Sequence, residues 1–169
     1  MAASDVPSIP ADEHVLVALV PTIADTSAPS LATDLATVTD ISCYLTPDGL
    51  SPALTENTVS DERLCSAQSF EQPGSFSYAL DLIYIDNTNG EASAPNDAKD
   101  TLVPWTAQFL IIRRGIDYKQ PLAEGDLIDI WPIKPGQYSK QPPERNSVLK
   151  IAQKQFVVGP VVQDVAVVA

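Results

Sequence analysis

Between Phe76 and Tyr84 every second residue is large and apolar: Phe76, Tyr78, Leu80, Leu82 and Tyr84 alternate with Ser77, Ala79, Asp81 and Ile83. Period two places the first set on one face of an extended strand, and a helix cannot bury such a pattern. Toward the end of the run Ile83 and Ile85 make the strand apolar on both faces. Just upstream, Gln72-Pro73-Gly74-Ser75 has the residues of a type II turn, proline presetting φ and glycine supplying the positive φ. Residues 60–86 therefore read as two extended arms hinged there, with a longer loop or a bulge, because type II geometry fits a tight hairpin poorly. Each arm is about twice the usual strand of about five or six residues, and the second would reach on the order of 37 Å. A ribbon of that length in one small domain is economically explained if part of it packs against another copy of the chain.

The rest of the chain agrees with strands. Fifteen prolines scattered over 169 residues leave no room for a long helix, and the length predicts one domain, 1–169. The expected fold is mainly β, an antiparallel β-sandwich or barrel with a long β-hairpin, an extended N-terminal arm at 1–13, extended loops and one short α-helix near 95–102. Strands are expected at 15–20, 38–45, 109–112 and 127–131, and an alternating stretch at 147–158. Pro132 and Pro135 push residues 133–138 to an edge or an irregular continuation of the fourth strand. Residues 24–37 and the polar stretch 50–59 read as loops, and Thr46-Pro47-Asp48-Gly49 as a turn. The chain closes on apolar residues at 159–169, where tails are usually polar and frayed; such a strand pairs with its own sheet or is donated to a neighbour.

The formal charge of −12 is concentrated in the first 99 residues, and residues 100–169 are nearly balanced. Long-range repulsion excludes the outside of nucleic acid and anionic membranes as partners. The remaining readings are a solvated acidic surface, subunits meeting acidic end to basic end, or a passage lined with negative charge. The adjacent Arg113 and Arg114, without interleaved aromatics, read as subunit-facing or solvated rather than as a nucleic-acid contact. Cys43 and Cys65 read as buried free thiols, with a disulfide left open. A single histidine, His14, near an acidic N-terminal stretch reads as a surface residue. No Gly-rich phosphate loop, nucleophile elbow or metal-ligand spacing is found, so no enzyme and no cofactor are expected. No signal peptide or spanning segment is evident, which predicts a soluble protein made in the cytoplasm and no membrane partner.

Taken in order, Ile41-Ser42-Cys43-Tyr44-Leu45, Asp61-Glu62-Arg63-Leu64-Cys65, Phe70-Glu71 followed by Pro73-Gly74, Ile112-Arg113-Arg114-Gly115, Asp129-Ile130-Trp131-Pro132 and Gln153-Lys154 before Phe156 resemble the major tail (tail tube) protein of long, non-contractile-tailed bacteriophages, particularly of the actinobacteriophage type. The resemblance spans most of 41–169. It implies a structural virion protein whose hexameric rings stack head to tail into a hollow tail tube, made in the host cytoplasm, through which genomic DNA passes without sequence-specific binding. Partners would be the chain itself and other tail proteins, namely the tape measure, tail terminator and tail tip. Another ring, connector or head-surface protein of the virus is the alternative. Before the 109–112 strand this chain reads Val103-Pro104-Trp105-Thr106-Ala107-Gln108, where relatives are expected to carry a smaller, Gly-containing turn.

On this resemblance the small and acidic face Ser77, Ala79 and Asp81 is expected to line the channel, with Phe76, Tyr78, Leu80 and Leu82 in the core. Candidate inter-subunit residues are Thr46, Pro47, Asp48, Gly49 and Leu50 in the 46–60 loop, Arg113 and Arg114, and Val161, Val162, Val165 and Val167 at the C-terminus. Deleting 161–169 is expected to give soluble subunits that do not polymerise.

Overall fold

A computed structural model describes residues 7–90 and 95–169. One eight-stranded antiparallel sheet organises them, curled into a half-barrel. Its strands are β1 Val15–Val20, β2 Thr39–Asp40, β3 Leu45–Asp61, β4 Phe70–Ile85, β5 Gln108–Arg114, β6 Leu127–Lys140, β7 Lys150–Val157 and β8 Val162–Ala166. Their order is β2-β1-β5-β6-β7-β4-β3, with β8 also paired to β6. The short helix α1, Asp97–Thr101, lies where proline and acidic residues favour a helix start. The first six residues of the expected N-terminal arm fall outside the described residues.

Curling gives the sheet two apolar layers. Inside it, Val17, Leu19, Leu80, Leu82, Tyr84, Leu110, Ile112, Trp131 and Ile133 pack with Ala98 and Leu102 of the α1 region. On the opposite face Val20, Ile111, Ile128 and Ile130 are covered by Ile23, Leu35 and the C-terminal Val167. The unbroken apolar run of β1 reflects this, since both of its faces are buried.

Several expectations are corrected. The hairpin is real, but its tip is residues 62–69, and Pro73-Gly74 lies inside β4. There the pairing of β4 with β3 is irregular, the register slipping between Glu56 and Thr58. Proline and glycine serve a bulge as well as a turn, and a Cβ on Gly74 would sit 2.8 Å from the Asn57 carbonyl oxygen. The polar stretch 50–59, read as a loop, is the other arm, within the 17-residue β3. Thr46 to Gly49 form a bulge in that strand, because Leu45 pairs with Tyr84 and Leu50 with Leu82. Gly49 is required by close approach: a Cβ there would lie 2.1 Å from the Ile83 carbonyl oxygen.

The expected 38–45 strand is only β2 followed by a 3-10 helix, Ser42–Tyr44. The Asp40 carboxylate accepts hydrogen bonds from the Ser42 amide and hydroxyl, and the Ser42 hydroxyl oxygen accepts one from the Val17 amide. These local bonds compete with a continuous ladder. Cys43 and Cys65 are exposed, not buried, and both are free thiols. Strand β6 continues through Pro132 and Pro135. Pro135 falls after the last β5 pair, Gln108 with Ile133, and beside a bulge, so it breaks no ladder on that side. Phe76 is 65% exposed and is not a core residue.

Candidate functional site

The hairpin outgrows its own sheet. β4 pairs with β7 only over residues 80–85; farther out, among the described residues, β3 and β4 pair only with each other. The β-branched Thr55, Thr58 and Val59 suit an extended strand. Yet Leu54, Val59, Leu64, Phe70 and Phe76 are all exposed along this outer half. An aromatic row runs out of the core along it: Tyr78 meets Trp131 edge-on with centroids 5.3 Å apart, and Phe76 meets Tyr78 in the same way at 5.9 Å. A two-stranded ribbon without cover is marginally stable in water.

Ser77, Ala79 and Asp81 are all exposed on the face opposite the buried Leu80 and Leu82. In register with them are Thr55, Ala53 and Ser51, which extends the small, polar face across both arms. The next strand brings Lys154 opposite Asp81. That neighbour is invisible in the sequence of the hairpin alone.

The expected contact residues separate into distinct groups. Arg113 is fully buried and is not a surface residue. Its guanidinium pairs with Asp126 at 2.8 Å and donates to the carbonyls of Asp117, Gln120 and Pro121, so it ties down the loop between β5 and β6. Arg114 is exposed and borders an apolar groove with Ile9, Pro10, His14 and Leu50. Thr46 to Gly49 form the bulge at the hairpin base, with Pro47 and Asp48 exposed, and Leu50 pairs with Leu82 just beyond it. Val162 and Val165 belong to β8, paired with Ile130 and Ile128 of the same chain. Val161 is half-buried and Val167 buried. The C-terminal strand thus joins its own sheet, one of the two outcomes expected for it.

At the junction of β4 with the following turn, burial alone would raise the Asp86 carboxyl. The Thr88 hydroxyl and the Lys140 ammonium, 3.0 Å away, outweigh it and hold the group at about 2. Burial pushes the Tyr84 hydroxyl upward, and that hydroxyl donates to Gln153 in the core. Among the described residues no group of His, Cys, Asp and Glu is arranged to hold a metal ion, and no helix is long and apolar enough to cross a membrane.

Two surface aromatics escaped the sequence reading. Trp105 is 57% and Phe156 43% exposed, and their rings stack 6.2 Å apart at 18°. The alternation of Phe156 and Lys154 with the buried Gln153 and Gln155 on β7 is the signal that could have placed Phe156 outside.

A comparison with curated proteins finds no match. Among solved structures, the chain is similar to one in the cryo-EM structure of the anti-feeding prophage (AFP) baseplate, 6-fold symmetrised, with 13% identity and a TM-score of 0.51 over 94% of this chain and 97% of that one. At that identity the likeness concerns the fold. The profile of the family described as phage tail tube protein matches residues 3–169, nearly the whole length. The chain therefore belongs to the phage tail tube protein family and is a structural protein of the bacteriophage tail.

Proposed function

We propose that copies of this chain form hexameric rings that stack head to tail into a hollow tube, and that genomic DNA passes along its bore. The observation that carries this reading is the outer half of the β3–β4 hairpin, a ribbon that exposes Leu54, Val59, Phe70 and Phe76 with no cover among the described residues of its own subunit. Two open edges support it. Among the described residues β3 has a strand neighbour only on its β4 side, and β6 beyond Ile133 only on its β7 side, the Trp105 amide bonding the Pro135 carbonyl at the start of that edge. The segment β3-β4-β7-β6 can therefore accept a strand edge at either side, which is the heterologous geometry that closes into rings. The tape measure, tail terminator and tail tip proteins would meet the ends or the bore of such a tube.

The face bearing Ser77, Ala79 and Asp81 is assigned to the bore. Small side chains leave space there, and the Asp81 carboxylate opposite Lys154 denies the face the net positive charge that would hold DNA and stall it. Asp81→Lys should leave polymerisation unchanged, since Asp81 is exposed on that face, while DNA ejection from phage carrying it slows. Failure of this variant to polymerise would show that the face is a joint and not a lining. The ring-and-tube reading itself is tested by sedimentation of concentrated protein. Assemblies far larger than the 18.1 kDa chain are expected, and a persistent monomer contradicts it.

A further inference from the structure

We propose that the Trp105–Phe156 stack is the seat on which the β3–β4 hairpin of a second copy docks. The inference rests on the self-assembly reading and names the two surfaces that meet. Trp105 has φ 69°, a left-handed conformation that costs a bulky L-residue about 1–2 kcal/mol and glycine almost nothing. The backbone is fixed there by the Trp105 amide donating to the Pro135 carbonyl at 2.8 Å. The strain does not serve the core, for the indole is more than half exposed. It holds the indole over Phe156 at the surface, beside the open edge of β6.

Two lysines flank this flat aromatic platform on the β6–β7 side, and Asp81 of β4 lies across from one of them, Lys154. The Lys154 ammonium lies 5.5 Å from the Phe156 ring centroid, and Lys134 is the cross-strand partner of Phe156. The hairpin has the opposite character. Its outer part, residues 54–76, carries Glu56, Asp61, Glu62 and Glu71 against Arg63 alone, together with exposed Leu54 and Phe76. Aromatic anchors ringed by complementary charge are the usual energetic centre of an interface. Because platform and hairpin are different surfaces of one chain, each copy uses one of each, and the joint propagates head to tail.

The test uses full-length variants in pairs. Trp105→Gly combined with Phe156→Ser removes the platform, and Leu54→Ser combined with Phe76→Ser removes the hairpin's apolar contact. Trp105→Gly alone should keep the monomer's melting temperature, since glycine accepts the left-handed backbone, and should raise the concentration needed for polymerisation at least about tenfold. Each double variant should stay monomeric alone, and an equimolar mixture should give one-to-one dimers, because one intact hairpin meets one intact platform. If wild-type protein polymerises while the mixture stays monomeric, or while Trp105→Gly polymerises at the wild-type concentration, this joint is wrong and the tube reading stands. If wild-type protein does not polymerise at all, both fall.

Discussion

Replacing Arg113 with methionine should lower the unfolding free energy by about 3–5 kcal/mol, the usual cost of removing one partner from a buried ion pair. Arg113 has no exposed side-chain surface, and Asp126 is only 12% exposed. Without the guanidinium, the carbonyls of Asp117, Gln120 and Pro121 lose their donor together, and the loop they belong to loses the ion pair that anchors it. Of the Asp126 contacts, the amide of Ala123 remains, so the carboxylate is left partly buried and underpaired. Against a total stability of about 5–15 kcal/mol this is a large fraction, and calorimetry should show a fall in melting temperature on the order of 10 °C. Arg113→Lys should recover only part of the loss, because an ammonium cannot reproduce the fork of donors. A melting temperature within a degree or two of wild type would mean that the loop is held by something else.

Deleting residues 161–169 should abolish the cooperative fold and leave aggregated chain. This reverses the expectation, drawn from the apolar C-terminus alone, of soluble subunits that merely fail to polymerise. The segment supplies β8 to the edge of β6, and beyond it the chain exchanges backbone hydrogen bonds with two loops: Val167 with Gly125 and Asp126, and Val168 with Pro29 and Leu31. Val167 is buried against the layer that includes Ile128 and Ile130. Losing its burial and uncovering the two isoleucines removes about 1.5–3 kcal/mol for each side chain, a sum comparable with the whole stability of a domain. Loss of the sigmoidal urea transition is the expected readout, and a soluble truncation with wild-type melting behaviour would contradict it.

The features legible in the sequence are those written as short-range pattern. The alternation of Leu80, Leu82 and Tyr84, the apolar runs of β1 and β5 and the proline-started α1 all lie where local chemistry places them. Features that escaped depend on partners distant in the chain. The arm 50–61 has no alternation to read because its outer part is exposed on both faces. Pro73-Gly74 looks the same in a turn as in a bulge, and only the approach of Asn57 distinguishes them. Arg113 reads as a surface cation until the loop carbonyls that surround it are known. Of the candidate site, the small face at Ser77, Ala79 and Asp81 was visible in the alternation, whereas Lys154 beside it and the Trp105–Phe156 stack require the sheet order.

The central claim is that the outer half of the hairpin is one side of a joint completed by another copy. Electron microscopy of the purified chain at rising concentration tests it most directly. Hollow tubes of stacked rings are expected, and they should vanish when Leu54 and Phe76 are both replaced by serine. Particles that remain single subunits at the highest concentration reached, or tubes indifferent to that double replacement, would contradict it.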